Sequence, residues 1–192
     1  MKNIKIDIFG ESTLIMHSCQ SVNPLHPLSI AMKKLTSIRN KTEDDIANLA
    51  ALEWEAGLYW DDKIGLYMPA ENIEACIREG AKARKKGKDI VKAFSLTELK
   101  IPVDIGEKLT LDQMRDDFRF RDTRPMKVKT SRVMRTRPRF NNWKLTCNAI
   151  YDENMLDFNT IVNAVEYAGQ YVGLCDSRPK YGRFCATITE LD

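Results

Sequence analysis

Two short runs of alternating apolar residues lie near the two ends of this chain, and two stretches between them carry helical apolar spacing. Ile4, Ile6 and Ile8 alternate with polar residues from Lys2 to Phe9, and Gly10 ends that run. Phe184, Ala186 and Ile188 alternate in the same way. A period of two puts successive side chains on opposite faces of a strand, so each run reads as a half-buried strand. After Pro69, which opens a helix at a favoured position, Ile73, Cys76, Ile77 and Gly80 share one helical face. After Asp157, Ile161, Val162, Val165, Ala168 and Val172 share another, and Gly173 is placed to stop it. A chain of this kind buries one face of a sheet under amphipathic helices.

The remaining segments refine that outline. Leu28 to Ile38 has helical spacing through Ile30, Ala31, Leu35 and Ile38. Thr42-x-x-Asp45 is an acidic variant of the capping box and starts a second helix through Ile46, Leu49, Ala50, Glu53 and Trp54, ending near Gly57. These two helices read as an inserted hairpin over 28–57. Leu58 to Met68 is aromatic-rich around an Asp61-Asp62-Lys63 turn. Residues 94–111 hold two weak strands, and 112–125 look irregular. Lys127 to Arg135 and Asn142 to Tyr151 read as two strands joined by a turn near Pro138 to Asn141. Without the insertion the order approximates β-α-β-β-α-β. The predicted fold is therefore one α+β domain over 1–192, a ferredoxin-like or RRM-like antiparallel sheet with helices on one face. RRM modules stack bases on the open sheet face, but their aromatic signature is missing here.

Charge is concentrated. The chain is only +3 overall, yet residues 61–139 carry twenty bases and thirteen acids. Within the basic segment 112–140, the stretch RFRDTRPMKVKTSRVMRTRPR, Arg119 to Arg139, holds nine Lys or Arg against the single acid Asp122. Seven of the nine are Arg, whose planar fork of donors matches a phosphate and stacks on a base. Phe118, Phe120, Phe140 and Trp143 bracket the stretch. Cations with interleaved aromatics are the footprint of a nucleic-acid groove, while a solvated basic face or a dock for an acidic protein gives the same composition. Lys82, Arg84, Lys85, Lys86 and Lys88 form a second cluster, which reads first as cations complementing a helix C-terminus.

Other classes are bounded more simply. An apolar fraction of 43% supplies a core. Five cysteines, odd in number and without a CxxC pair, fit reduced cytosolic thiols. Met1-Lys2-Asn3 leads into a strand pattern and not a signal peptide, and no run spans a bilayer, so the expected location is cytoplasmic with no membrane partner. No metal and no cofactor is expected: His17-x-Cys19 is an isolated pair, and Asp61-Asp62 and Asp116-Asp117 lack a third ligand. P-loop, GxSxG and HExxH motifs are absent, so no catalytic residue is assigned.

Three segments taken in order resemble the RAMP superfamily, the ferredoxin-like subunits of CRISPR effector complexes. Ile8-Phe9-Gly10-Glu11-Ser12-Thr13-Leu14-Ile15-Met16-His17 is similar to its first strand and following turn. Tyr67-Met68-Pro69-Ala70-Glu71-Asn72-Ile73-Glu74-Ala75-Cys76-Ile77-Arg78 is similar to its IPxSSLKGxLR helix start. Val172-Gly173-Leu174-Cys175-Asp176-Ser177-Arg178-Pro179-Lys180-Tyr181-Gly182-Arg183-Phe184 resembles its glycine-rich loop, GGxxxxGFGxV. Asn72 stands where Ser is usual, Ala75 replaces Gly, and Phe184 replaces the second Gly of Gly-Phe-Gly. The resemblance implies a distant relative, such as a phage-encoded protein acting in its host's cytoplasm, that assembles as a homo-oligomer along a single strand.

The functional expectation is a non-enzymatic protein that binds single-stranded DNA or RNA through its phosphate backbone. Arg132, Arg135, Arg137 and Arg139 lead the expected contacts, followed by Arg119, Arg121 and Arg124. Lys127 and Lys129 are expected on the face of Arg135. Phe140 and Trp143 are candidate stacking platforms, with Trp143 equally readable as core. Arg178, Lys180 and Arg183 add a loop whose glycines let backbone approach a phosphate. Two alternatives stand beside this. One is a phage-encoded adaptor or inhibitor that docks on an acidic protein surface. The other is an RNA endonuclease using His17, although a partly buried, loop-bonded histidine is the plainer reading of that residue.

Overall fold

The structure, a computed structural model, describes residues 1–128 and 130–191. In chain order the elements are β1 (Lys2–Gly10), β2 (Leu14–Ile15), α1 (Pro27–Ser37), α2 (Glu43–Gly57), β3 (Trp60–Asp61) and β4 (Gly65–Pro69). There follow α3 (Ala70–Lys82), α4 (Gly87–Ala93), β5 (Phe94–Leu96), β6 (Lys100–Asp104) and α5 (Leu111–Asp116). The last are β7 (Arg121–Val128), β8 (Ser131–Phe140), β9 (Lys144–Tyr151), α6 (Phe158–Tyr167) and β10 (Phe184–Leu191). The chain is thus α+β with mostly antiparallel sheet, as its periodicities imply.

Where the sequence reads as one domain with a helical insertion, the fold divides into two compact units. The larger comprises Met1–Leu14, Asp61–Lys108 and Asn141–Asp192, and the smaller Ile15–Trp60 and Leu109–Phe140. The supposed insertion and the basic segment are therefore one folded body. No local pattern announces this, because each half lacks the apolar surface the other supplies.

In the larger unit β1 lies between β10 and β9, antiparallel to both, and the sheet runs β10-β1-β9-β6-β4-β3 with β5 also paired to β9. Register sets Ile6 opposite Cys147 and Ile188, and Ile8 opposite Leu145 and Ala186. Ile4, Ile6 and Ile8 are fully buried, each burial favouring the fold by about 1.5–3 kcal/mol relative to exposure. α3 contributes Ile73, Cys76, Ile77 and Ala81 to the core, and α6 contributes Ile161, Ala164 and Val165. Gly80 lets the helices meet backbone to backbone: a Cβ there would lie 2.3 Å from the Ala164 carbonyl oxygen and 2.8 Å from the Ala168 nitrogen. The Asp157 carboxylate caps α6 by accepting from the Thr160 N–H at 2.7 Å, and Gly173 at φ 78° ends the helical segment.

In the smaller unit the expected capping box forms: the Thr42 hydroxyl accepts from the Asp45 N–H, and the Asp45 carboxylate accepts from the Thr42 N–H. α2 buries Trp54, whose indole N–H donates to the Phe120 carbonyl at 2.8 Å. β8 lies between β7 and the short β2. Pro138 offers no N–H, yet it stays within β8 and its carbonyl accepts from the Met16 N–H at 2.9 Å.

Three local expectations change. Residues 112–125, read as irregular, contain α5 with its own Thr110–Gln113 capping box, a 3-10 turn at Phe118–Phe120, and the start of β7. The stretch from Lys127 to Arg135 is not one strand, since β7 ends at Val128 and β8 begins at Ser131. β8 also pairs with β7 and not with β9, because the apolar side chains at its Phe140 end pack inside the smaller unit.

Candidate functional site

The basic segment is a long antiparallel hairpin. Register sets Arg121 opposite Pro138, Asp122 opposite Arg137, Arg124 opposite Arg135, and Lys127 opposite Arg132. Directly opposed residues share a face and neighbours along a strand do not. One face therefore carries Asp122, Arg124, Arg135, Arg137 and Arg139, and the other carries Arg121, Lys127 and Arg132. Lys127 is thus on the face opposite to Arg135. The single-strand reading put them together, and the intervening turn reverses that. Lys129 lies outside the described residues.

The first face is built around acids. Asp122, largely buried, is gripped by the Arg124 guanidinium through both carboxylate oxygens. Glu53 of α2 is 7% exposed; it pairs with Arg135, and its second oxygen accepts from the Thr136 N–H at 2.9 Å. A carboxylate so placed needs both partners, because an unpaired buried charge is costly. Arg135 and Arg124 accordingly organise the root of the hairpin. Arg137 joins His17, Ser21, Glu53 and Arg135 around a cavity of about 250 Å³. His17 itself is exposed, which corrects the partly buried reading, and its carbonyl accepts a 3.5 Å hydrogen bond from the Tyr59 hydroxyl.

The second face is covered near its root by Thr136, Pro138 and Phe140, all buried, and opens toward the turn. There Lys127, Arg132 and Met134 are exposed, with Pro125 opposite Met134. Lys127 and Arg132 form no ion pair among the described residues.

Arg119 is exposed and held by Asp117, its Nε donating at 2.7 Å. The Arg119 N–H and guanidinium together hold the Asp117 carboxyl below the usual range. Arg121 donates from Nε to the Arg115 carbonyl at 3.0 Å and lies 5.0 Å from the centre of the Phe118 ring.

Phe140, expected as a stacking platform, is core, and Trp143 takes the core reading that stood beside its platform reading. Phe140 is 1% exposed and packs 5.7 Å from Phe120, and Trp143 is 4% exposed. A Cβ on Gly10 would lie 2.2 Å from the Trp143 ring, whose N–H donates to the Ser12 carbonyl at 2.9 Å. Neither ring offers a face to a base. Phe118, 78% exposed beside the Arg121 guanidinium, is the aromatic that does. Its signal was present in the sequence: it follows Asp116-Asp117 directly, where a short capped helix ends and leaves the next ring outside.

Arg178, Lys180 and Arg183 are exposed on a loop of the larger unit. Its root is pinned by the Leu174 N–H donating to the Gly182 carbonyl and by the Gly182 N–H donating to the Thr13 carbonyl, at 2.8 and 2.9 Å. Gly182 sits at φ 72°, and a Cβ there would lie 2.0 Å from the Leu174 oxygen. The helix-free sheet face of the same unit presents Phe9, 44% exposed, beside Lys144 and Cys185 in register.

Burial pushes the Cys76 and Cys147 thiols up to about 12, so neither is a ready nucleophile. Among the described residues no three His, Cys, Asp or Glu side chains cluster where they would hold a metal ion, and no helix is long and apolar enough to cross a membrane. No protein-family model matches the chain, and no curated protein matches it in sequence.

Proposed function

We propose that the protein binds single-stranded nucleic acid without cleaving it, making its leading phosphate contacts at the open end of the β7–β8 hairpin. The observation that carries this reading is the in-register pair Lys127–Arg132, exposed and without an acid partner among the described residues. Like charges directly opposite one another destabilise a hairpin, so the pair costs the fold stability. A phosphate between them satisfies both. Arg121, six residues before Lys127 on the same face, extends the cationic strip by about 20 Å at roughly 3.4 Å per residue. Phe118 beside it supplies a stacking surface.

The larger unit is, on this reading, ferredoxin-like. The neighbour order β10-β1-β9-β5, with α3 reached from β1 after the intervening β3 and β4, and α6 between β9 and β10, supports that assignment. It also supports the resemblance to RAMP proteins, and with it assembly of several copies along one strand. Fluorescence anisotropy with labelled single-stranded DNA, single-stranded RNA and duplex DNA at two salt concentrations tests the proposal. Salt-sensitive preference for single strands is the expected result. No binding to any probe at low salt refutes it and favours an acidic protein partner instead.

A second reading has one observation in its favour. His17 is exposed and shares its cavity with Arg135 and Arg137, cations of the kind that stabilise a phosphodiester transition state. RNA cleavage that disappears in His17→Ala would establish that reading, and intact RNA after long incubation dismisses it.

A further inference from the structure

A second basic surface lies at the bend between α3 and α4, and the structure gives it features that a solvated helix end does not need. Arg78, Lys82, Lys85, Lys88 and Lys92 line one cavity of about 690 Å³, a size that suits a small ligand. Glu79 is the acid that engages this group, at 2.7 Å from Lys82 and 3.4 Å from Arg78. Lys85, Lys88 and Lys92 form no ion pair among the described residues.

The backbone is bent around the cavity in an unfavourable way. α3 closes with the Lys86 N–H donating to the Ala81 carbonyl at 3.0 Å and the Lys85 N–H donating to the Lys82 carbonyl at 2.9 Å. This closure calls for a left-handed residue at position 85, normally glycine, yet a lysine occupies it at φ 60°. Glycine is held two residues later, at Gly87, which lines the cavity. A Cβ there would lie 2.8 Å from Lys82 Cγ and 3.2 Å from the Arg78 carbonyl oxygen. The chain thus accepts a disfavoured backbone to keep a cation at position 85, and keeps Gly87 bare. In addition, Arg78 Nε is buried and has no hydrogen-bond partner among the described residues. A buried donor without an acceptor costs free energy, and it belongs to a residue that lines the cavity.

We infer that the α3–α4 bend is a binding site for linked phosphate groups, as found in a polynucleotide backbone or in a free polyphosphate compound. A single phosphate would leave most of the five cations unmatched, whereas two or three linked phosphates engage them together. The site stands independently of the hairpin reading, since it lies on other residues of the chain.

The test is isothermal titration of the full chain with sodium tripolyphosphate at low salt, run beside anisotropy with labelled oligodeoxythymidylate. The parent binds tripolyphosphate saturably. The Lys85→Glu, Lys88→Glu double variant binds about tenfold more weakly or worse, and the Lys33→Ala, Lys34→Ala double variant on exposed α1 binds as the parent does. Lys85→Gly separates ligand from fold: it weakens tripolyphosphate binding while raising the thermal midpoint, opposite effects that a purely structural lysine would not give. A parallel loss of oligonucleotide affinity in the Lys85→Glu, Lys88→Glu variant assigns the site to a polymer, and unchanged oligonucleotide affinity assigns it to a free polyphosphate. The inference is overturned by no saturable tripolyphosphate binding to the parent, or by equal binding in the parent and the Lys85→Glu, Lys88→Glu variant.

Discussion

Replacing Lys127 and Arg132 by alanine should flatten the salt dependence of nucleic-acid binding by a calculable amount. Each phosphate neutralised on a single strand releases counterions and contributes about −0.7 to the slope of log K against log salt. If each of the two side chains holds one phosphate, the variant's slope is shallower by about 1.4. Between 50 and 200 mM salt the parent's advantage over the variant then shrinks about sevenfold. Stability moves the other way. The two cations oppose each other across the hairpin, and relieving that repulsion favours the fold by about 0.2–1 kcal/mol. Anisotropy of a labelled 20-mer across several salt concentrations gives the slope, and urea unfolding gives the stability. Lys33→Ala, Lys34→Ala on the exposed part of α1 is the control for general charge loss. An unchanged slope in the hairpin variant refutes the placement of the interface, as does an equal flattening in the control.

Arg135→Ala is expected to act on folding first: Glu53 keeps only the Thr136 N–H, and the loss of about 1–3 kcal/mol should appear as a lower urea midpoint. Gly80→Ala forces α3 off α6 and should cost about 1–3 kcal/mol, read by thermal unfolding; an unchanged midpoint would mean the helices are not in backbone contact. Asp61 is held at a pKa of about 2, chiefly by Lys100 and then by the Lys63 and Ile64 N–H groups, below its ordinary 3.8. Its contribution is therefore present above about pH 4 and lost as pH falls toward 2, so the stability gap between parent and Asp61→Asn should close over that window. Lys85→Gly should stabilise the chain by about 1 kcal/mol by relieving the left-handed lysine, and urea unfolding would detect it.

The elements that were legible in the sequence are those fixed by local chemistry. Thr42-x-x-Asp45 and Asp157 cap helices because a side-chain oxygen two or three residues from a free N–H has few other uses. Ile4, Ile6 and Ile8 form a buried strand face because the period of two leaves no other arrangement. What stayed hidden depends on distant partners. Phe140 and Trp143 looked like platforms because both flank a basic run, and flanking says nothing about burial. Trp143 is enclosed by Gly10 and Phe184, more than a hundred and thirty and about forty residues away respectively, and Phe140 by Phe120. Glu53 read as one residue of a helix, and its role appears only when β8 is set beside α2.

The sequence ranks Arg132, Arg135, Arg137 and Arg139 ahead of Arg119, Arg121 and Arg124, and the fold orders them differently. Among the described residues, Asp122 takes Arg124, Glu53 takes Arg135, and Asp117 takes Arg119. Asp122 and Glu53 are themselves buried at the root of the hairpin, so their pairing with Arg124 and Arg135 serves the fold. At the open end the situation reverses. Lys127 and Arg132 face each other without an acid among the described residues, although a single Asp or Glu at either position would have stabilised the hairpin by removing the repulsion. A soluble edge could have used one charge of each sign, and two of the same sign in register offer a site to an anion. That asymmetry gives a sharper expectation than total charge does. Reversing one of the two charges at the open end should sharply weaken oligonucleotide binding and raise the thermal midpoint slightly. The same reversal at Arg124 or Arg135 should lower the midpoint at every salt concentration, with or without ligand.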